Sequence, residues 1–340
     1  MVDMSRTETV RKVASAAAVG GGSVSALGLG LYGVLRAEAM LARRAIGDPL
    51  DEPPPNPSGW YGRKRPGPAI RVALLGDSGA AGYGVENVEE TPGAHLATGI
   101  AAAADRRVYL GCFAVVGAQT SNLMDQVDRA LLIEPELVVI SIGANDVTHG
   151  VLPGQSIREL TACLARLNSA GVKIVMGTCP DLGTVRPISP PLKQWARMMS
   201  RRMATSQAIA VVEAGGRSVS LANTLGPEFD ARPMDLFGPD RFHPSAEGYA
   251  AFAGVLLPTA LAALGMGPVD DAPRAARGEG IKPLQRAASQ ASRTPGTELD
   301  GTQGPGRGVR GLLVELRHRR RQPQVEAEKP AESLESAEPA

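Results

Sequence analysis

The sequence predicts an α/β protein whose parallel sheet carries helices on both faces. Three observations lead there. Short aliphatic, β-branched runs recur at residues 70–75, 107–116, 137–142, 173–178 and 208–212. Stretches with helical spacing lie between them, at residues 121–132, 157–169 and 192–206, and an apolar helix over 246–264 closes the series. Gly76, Gly117 and Gly143 stand where the first three runs must turn toward the next element. An apolar run without alternation is how a strand buried on both faces reads.

Taken in order, residues 1–47 form an N-terminal segment in which 13–35 carries no charge and is flanked by Arg11, Lys12 and Arg36. As a helix it is about 34 Å long, against a bilayer core of about 30 Å. It reads as a membrane anchor or export signal, diluted by six glycines between Gly20 and Gly33. A small-x-small cleavage pattern follows at Ala37-Glu38-Ala39. Basic residues on both sides (Arg6, Arg11 and Lys12; Arg36, Arg43 and Arg44) leave the side of the membrane open, the cytoplasmic one included. Residues 48–69 are dense in proline and read as a semi-rigid linker.

The folded domain is expected over residues 70–266. Within it, 192–206 puts Leu192, Trp195, Met199 and Met203 on one stripe, with Lys193, Arg197 and Arg201 off it, as a helix packed on the sheet requires. Ser245 is the expected N-cap of the last helix. Residues 267–340 are rich in Pro, Gly, Ala, Ser and charge, a composition expected to stay disordered. One stretch departs from it. Residues 306–321 set Val309, Leu312, Leu313 and Leu316 beside clustered arginines, as a basic amphipathic helix at an anionic membrane surface does.

Bulk properties exclude some functions. Lys and Arg number 36 against 35 Asp and Glu among 340 residues, a net charge of +1, so no field argues for a nucleic-acid partner. Aromatic residues make up only 4%, too few for a stacking platform. Cys112, Cys163 and Cys179 are widely spaced, lack a CxxC pattern and read as buried free thiols.

Four short stretches carry chemistry. Gly76-Asp77-Ser78 ends the first strand, Gly117 ends the second, Gly143-Ala144-Asn145-Asp146 ends the third, and Asp240-Arg241-Phe242-His243 precedes the last helix. In an open α/β sheet all of these fall on the carboxyl rim, where ligands bind. A serine there needs a neighbouring base to become a nucleophile. His243 can be that base, and Asp240, three residues away in one tight turn, can fix its tautomer and stabilise the imidazolium. The oxyanion formed on attack needs donors already in place: the N–H groups of Ser78 and Gly117 and the Asn145 amide supply three. Losing one such donor typically costs about 3–4 kcal/mol of transition-state stabilisation.

Gly-Asp-Ser, the isolated glycine, Gly-x-Asn-Asp and Asp-x-x-His, in this order over about residues 70–264, resemble the four blocks of the SGNH hydrolases, the GDSL esterase/lipase family. The resemblance implies a flavodoxin-like three-layer α/β/α sandwich with a five-stranded parallel sheet. It also implies carboxylic ester hydrolysis with no metal or cofactor. Ser78 is then the nucleophile, His243 the base, Asp240 the orienting acid, and Ser78, Gly117 and Asn145 the oxyanion hole. Gly79 replaces the leucine common after Gly-Asp-Ser, which alters the floor of the acyl pocket. The expected partner is a small-molecule ester (lipid, acetylated sugar or aryl ester), with short acyl groups preferred because none of the rim loops has a long apolar run.

Other readings fare worse. A dinucleotide turn needs glycine where Ser78 stands, and an α/β-hydrolase elbow needs glycine where Ala80 stands. A metal-dependent phosphoesterase would draw on Asp77, Asp146, Asp240 and His243, but only four histidines exist, His95, His149, His243 and His318. The remaining alternative is an inert, membrane-tethered scaffold. Asp77 is expected to brace the turn, His95 to be structural, and His149 to border the pocket or lie on the surface.

Overall fold

The computed structural model describes residues 33, 34, 37, 38, 40, 53–185, 189–221, 236–266, 278–301, 313–319 and 326–331. Its sheet is built around β2 (Ile70–Gly76), whose side chains are buried on both faces except Arg71. β3 (Val108–Cys112) and β4 (Leu137–Ser141) run parallel on either side and align Leu110 and Leu137 with Val72. β5 (Lys173–Gly177) follows β4, with Val175 opposite Val139, and β6 (Arg217–Val219) follows β5.

Helices cover both faces, as the alternation of elements requires. α1 (Ser78–Ala81) leaves β2 directly, and α2 (Pro92–Ala104) begins at a Thr91 cap with proline at its first position. α3 (Leu123–Leu131), α4 (Ala144–Thr148), α5 (Pro153–Ser169), α6 (Leu192–Glu213) and α7 (Ala246–Ala263) complete the layers. Leu96 and Ile100 of α2 and Phe252 and Leu256 of α7 pack on Val72, Leu74, Val139 and Val175. On the opposite face Val127, Leu160, Leu164 and Val211 pack on Ala73, Leu75, Val138 and Ile140. Ser245 caps α7 by accepting from Gly248 N at 3.2 Å. α7 is long and apolar enough to cross a membrane, but it is mostly buried inside the protein and serves as a core helix.

The expected five parallel strands are present, yet one lies elsewhere and the sheet is larger. Residues 208–212 are not a strand but the end of α6, and the fifth parallel strand is the three-residue β6. The apolar run there has a physical cause. Val211 faces the sheet, while Ala208 and Val212 are covered by α8 (Leu284–Ala291), so the helix is apolar nearly all round and loses its 3.6-residue signature.

Residues 267–340, expected to be disordered, add β7 (Gly280–Pro283), α8, β8 (Thr297–Asp300) and β9 (Leu313–His318) to the sheet. With β1 over Gly59–Tyr61, the strand order is β1-β3-β2-β4-β5-β6-β8-β9-β7, nine strands among the described residues instead of five, with β8, β9 and β7 antiparallel. Composition misleads here because β8 buries charge. Glu298, 1% exposed, receives Arg217 Nη1 at 2.6 Å, Arg319 Nε at 2.5 Å and the Thr259 hydroxyl at 3.0 Å. Buried charge of this kind is tolerated only when fully partnered. Within 306–321, residues 313–318 form a strand rather than a helix, with Val314 and Leu316 turned inward; 306–312, 320 and 321 lie outside the described residues.

The proline-rich stretch also joins the sheet. β1 (Gly59–Tyr61) pairs antiparallel with β3. Ala331 bridges Trp60, and Glu328 accepts from Gly62 N at 3.1 Å while its own N–H donates to Thr98 Oγ1 at 3.0 Å. Of the uncharged segment 13–35, all but residues 33 and 34 lie outside the described residues.

Candidate active site

The turn after β2 is shaped by close approach. A Cβ on Gly76 would sit 1.9 Å from the Ser141 carbonyl oxygen of β4, so only glycine lets the two strands meet there. Gln126 of α3 holds the same residue from the other side: its Oε1 accepts from Gly76 N at 2.8 Å and its Nε2 donates to Gly76 O at 2.9 Å. Asp77 then caps α1 by accepting from Gly79 N at 3.1 Å, which leaves Ser78 at the first helical position with its N–H outside the intrahelical ladder.

Asp240 and His243 meet this serine from the other end of the domain. Arg241 takes a left-handed backbone (φ 56°), and Asp240 Oδ1 accepts from Phe242 N and His243 N, both at 3.0 Å. The turn so closed leaves Asp240 Oδ2 free to face the ring, 2.5 Å from His243 Nδ1, while His243 Nε2 lies 2.9 Å from Ser78 Oγ. Tyr83 and Phe242 hold the imidazole, at ring-centroid distances of 4.5 and 4.8 Å. The Tyr83 carbonyl is in turn fixed by the buried Tyr249 hydroxyl at 2.8 Å. Ser78 Oγ, the imidazole and the carboxylate thus form one continuous hydrogen-bonded chain.

The electrostatics suit that chain. Burial pushes the Asp240 carboxyl upward, but the His243 ring and the two backbone N–H groups outweigh it and leave the pKa lowered, so the carboxylate stays ionised. Asp77 is the opposite case. Burial, aided by Asp146 and opposed by the Gly79 N–H and His243, raises it to about 6.

That difference predicts a stability effect. The unfolded chain releases the Asp77 proton around the ordinary 3.8 and the folded one around 6, so this residue costs stability as pH rises through that window. Asparagine keeps an acceptor for Gly79 N without the buried charge. Asp77→Asn is expected to gain about 2 kcal/mol at pH 8 and much less at pH 4. Urea unfolding at the two pH values measures this, and an equal effect at both contradicts it.

The other expected residues lie in the segments that follow the neighbouring strands β3 and β4. Gly117, in the loop after β3, has a left-handed backbone (φ 80°). Asn145, in α4, donates through Nδ2 to Ala118 O at 3.0 Å, joining the two loops and leaving its second amide hydrogen for a ligand. No hydrogen bond links either of them to the Ser78 chain among the described residues. Asp146 is buried and accepts from Thr120 N at 3.0 Å. His149 is not among the pocket-lining residues; its Nδ1 lies 2.8 Å from Asn145 O on the exposed side of α4. Among the described residues no three His, Cys, Asp or Glu side chains gather as a metal-ligand set. The three cysteines are free: Cys163 and Cys179 are buried and Cys112 partly so, and burial raises all three thiols, Cys112 to about 11.

Beside Ser78 and His243 opens a pocket of about 90 Å³, walled mainly by Ile142, Leu182, Val185, Leu221, Phe237 and Phe242. Its far wall is braced by Asp181, which accepts from Gly183 N at 2.9 Å and pairs with Arg201 at 3.1 Å. The expected stripe on α6 packs here, where Leu192, Met199 and Met203 meet Leu182 and Val185. Gln207 repeats the Gln126 device, accepting from Cys179 N at 2.7 Å and donating to Ile142 O at 2.9 Å.

Residues 74–251 match the family model of the GDSL-like lipase/acylhydrolases. The chain belongs to that family. The GDSL-like esterase Rv1075c of Mycobacterium tuberculosis is 39% identical over 241 residues, covering 67% of this chain and 76% of that protein. Among solved structures, the lipase/acylhydrolase from Enterococcus faecalis is 23% identical, with a TM-score of 0.44 over 55% of this chain and 93% of that one. A variant of the acetyl xylan esterase Axe2 from Geobacillus stearothermophilus is 17% identical, with a TM-score of 0.45 over 59% and 96%. As a GDSL-like acylhydrolase, the protein is a carboxylic ester hydrolase.

Sequence reading missed the supports of this site. Gln126, Gln207, Tyr83 and Asp181 hold backbone or ring positions and make no motif. One signal for Gln126 was present: it is a polar residue on the buried stripe of α3, beside Leu123, Val127 and Ala130.

Proposed function

We propose that this esterase hydrolyses short acyl esters through an acyl-enzyme on Ser78. The observation that carries the reading is the Ser78–His243–Asp240 hydrogen-bonded chain. His243 takes the Ser78 proton as Oγ attacks the ester carbonyl, and Asp240 stabilises the imidazolium. The N–H groups of Ser78 and Gly117 and the Asn145 amide receive the oxyanion. The imidazolium then gives its proton to the departing alcohol oxygen as the acyl–oxygen bond breaks. Water, deprotonated by His243, releases the carboxylic acid and restores Ser78. The small apolar pocket favours a short acyl group, since even a cavity of about 150 Å³ houses a ligand no larger than benzene.

The test is a series of p-nitrophenyl esters from acetyl to decanoyl. Acetyl to butyryl esters are expected to give a kcat/KM at least about 10-fold above octanoyl and decanoyl, each poorly housed methylene losing a share of about 0.8 kcal/mol of burial. A preference that rises with chain length overturns the short-acyl assignment. We further propose that residues 13–35 hold the enzyme at a membrane, a reading supported by the length and lack of charge of that segment.

A further inference from the structure

Glu38 joins the N-terminal segment to the active-site rim. Its Oε2 accepts from Leu192 N at 2.8 Å, the first N–H of α6, where an unpaired donor favours a carboxylate. α6 starts in the connection that leaves the carboxyl end of β5, the same edge of the sheet as Ser78. Leu192 packs on Leu182 and Val185, which wall the acyl pocket. Glu38 therefore stands just behind the pocket. In the sequence it follows the uncharged segment by three residues, a reach of about 11 Å at most.

The same edge is apolar on its other flank. Val115 and Val116, just before Gly117, are 43% and 41% exposed, and Leu152, which precedes α5, is 67% exposed. In the order β3-β2-β4-β5, Ser78 lies between the valines and the Glu38 contact, within three strand intervals or about 14 Å. Lys193 on the first turn of α6 adds positive charge of the kind an anionic bilayer surface attracts. Exposed aliphatic side chains, Lys193 and the Glu38 contact thus share the edge that carries the nucleophile.

We propose that this edge rests on the bilayer that holds residues 13–35, and that the substrate is a short acyl ester carried on the polar headgroup of a lipid in that same bilayer. The inference rests on the esterase and membrane readings above. The acyl group enters the small pocket, the headgroup hydroxyl is the leaving alcohol, and the lipid chains never leave the membrane. Tethering replaces an encounter in solution with a high local concentration of substrate.

The experiment uses the full chain in vesicles of phosphatidylcholine and phosphatidylglycerol. The probe is a dialkyl-ether glycolipid whose sugar bears acetyl esters, so that acetate is the only acid released. It is placed either in the vesicles that carry the protein or in separate ones, with p-nitrophenyl acetate as the soluble control. Acetate release from the shared vesicles is expected to exceed that from separate vesicles about 10-fold or more at equal total lipid. Glu38→Ala and Leu152→Asp are expected to lower the shared-vesicle rate about 5-fold while leaving the soluble rate unchanged. Equal rates from shared and separate vesicles, or variants that leave the shared rate intact, overturn the inference. Failure of the protein to float with vesicles overturns it through the membrane reading. Failure to cleave p-nitrophenyl acetate overturns the esterase reading itself.

Discussion

Ser78→Ala is expected to lower kcat on p-nitrophenyl acetate by about 10⁵–10⁶-fold, leaving the residual rate that binding and oxyanion donors supply alone. The size of the effect follows from what the hydroxyl does. In the proposed mechanism it is the atom that forms the covalent intermediate, and His243 and Asp240 act only through it. The fold has no comparable stake in it. The turn is held by Gln126 on Gly76 and by the Asp77 cap on Gly79, neither of which uses the Ser78 side chain. The variant should therefore unfold within about 1 kcal/mol of the parent, by urea titration followed with circular dichroism. Activity within ten-fold of the parent would place the nucleophile elsewhere.

Asp240→Asn is expected to cost about 10⁴-fold in kcat by a different route. Asp240 Oδ1 accepts the Phe242 and His243 N–H groups, and an asparagine oxygen can keep both bonds. The amide nitrogen then takes the place of Oδ2 opposite His243 Nδ1 and donates to it. The ring must carry its proton on Nε2, the nitrogen that faces Ser78, and can no longer accept one from the hydroxyl. Because the Asp240 pKa is lowered, the carboxylate is already ionised across the working range. The same lowering means that Asp240 stabilises the fold above the ordinary carboxylate range, a contribution lost as pH falls through the depressed value. A variant with parental kcat would show that the carboxylate has no part in catalysis.

The proposed catalytic residues were legible because their chemistry is local and falls at strand ends, and the structure joins Ser78, His243 and Asp240 in one hydrogen-bonded chain. Gly-Asp-Ser, Gly117, Asn145 and the Asp240–His243 turn are each short, and the alternation of strands and helices puts them on one rim. Where reading failed, distant chain had changed the meaning of a local pattern. Residues 208–212 look like a strand because α8 buries the face of α6 that would otherwise be polar. β8 reads as part of a solvated tail because Glu298 and Asp300 are charged, and only their distant partners, Arg217 with Arg319 and Thr259, show why they are inside. Glycine 76 was expected to permit a sharp turn; its stricter role is the approach of Ser141 O, which depends on the neighbouring strand. Gln126 and Gln207 clamp strand ends by bonding to backbone, a job that leaves no spacing to recognise.

The extra strands also bear on how the enzyme must be handled. A fragment ending at residue 266 lacks β8 and α8, so it loses the Arg217 ion pairs with Glu298 and Asp300 and uncovers the apolar face of α6. The full chain is the form to study.

The most direct measurement is labelling of that full chain with a fluorophosphonate serine probe, followed by intact mass and peptide mapping, with and without a chelator. The expected result is one adduct per chain, mapped to Ser78, unchanged by chelator and absent from Ser78→Ala. An unlabelled folded protein, or an adduct on another residue, would contradict activation of Ser78 by His243 and Asp240.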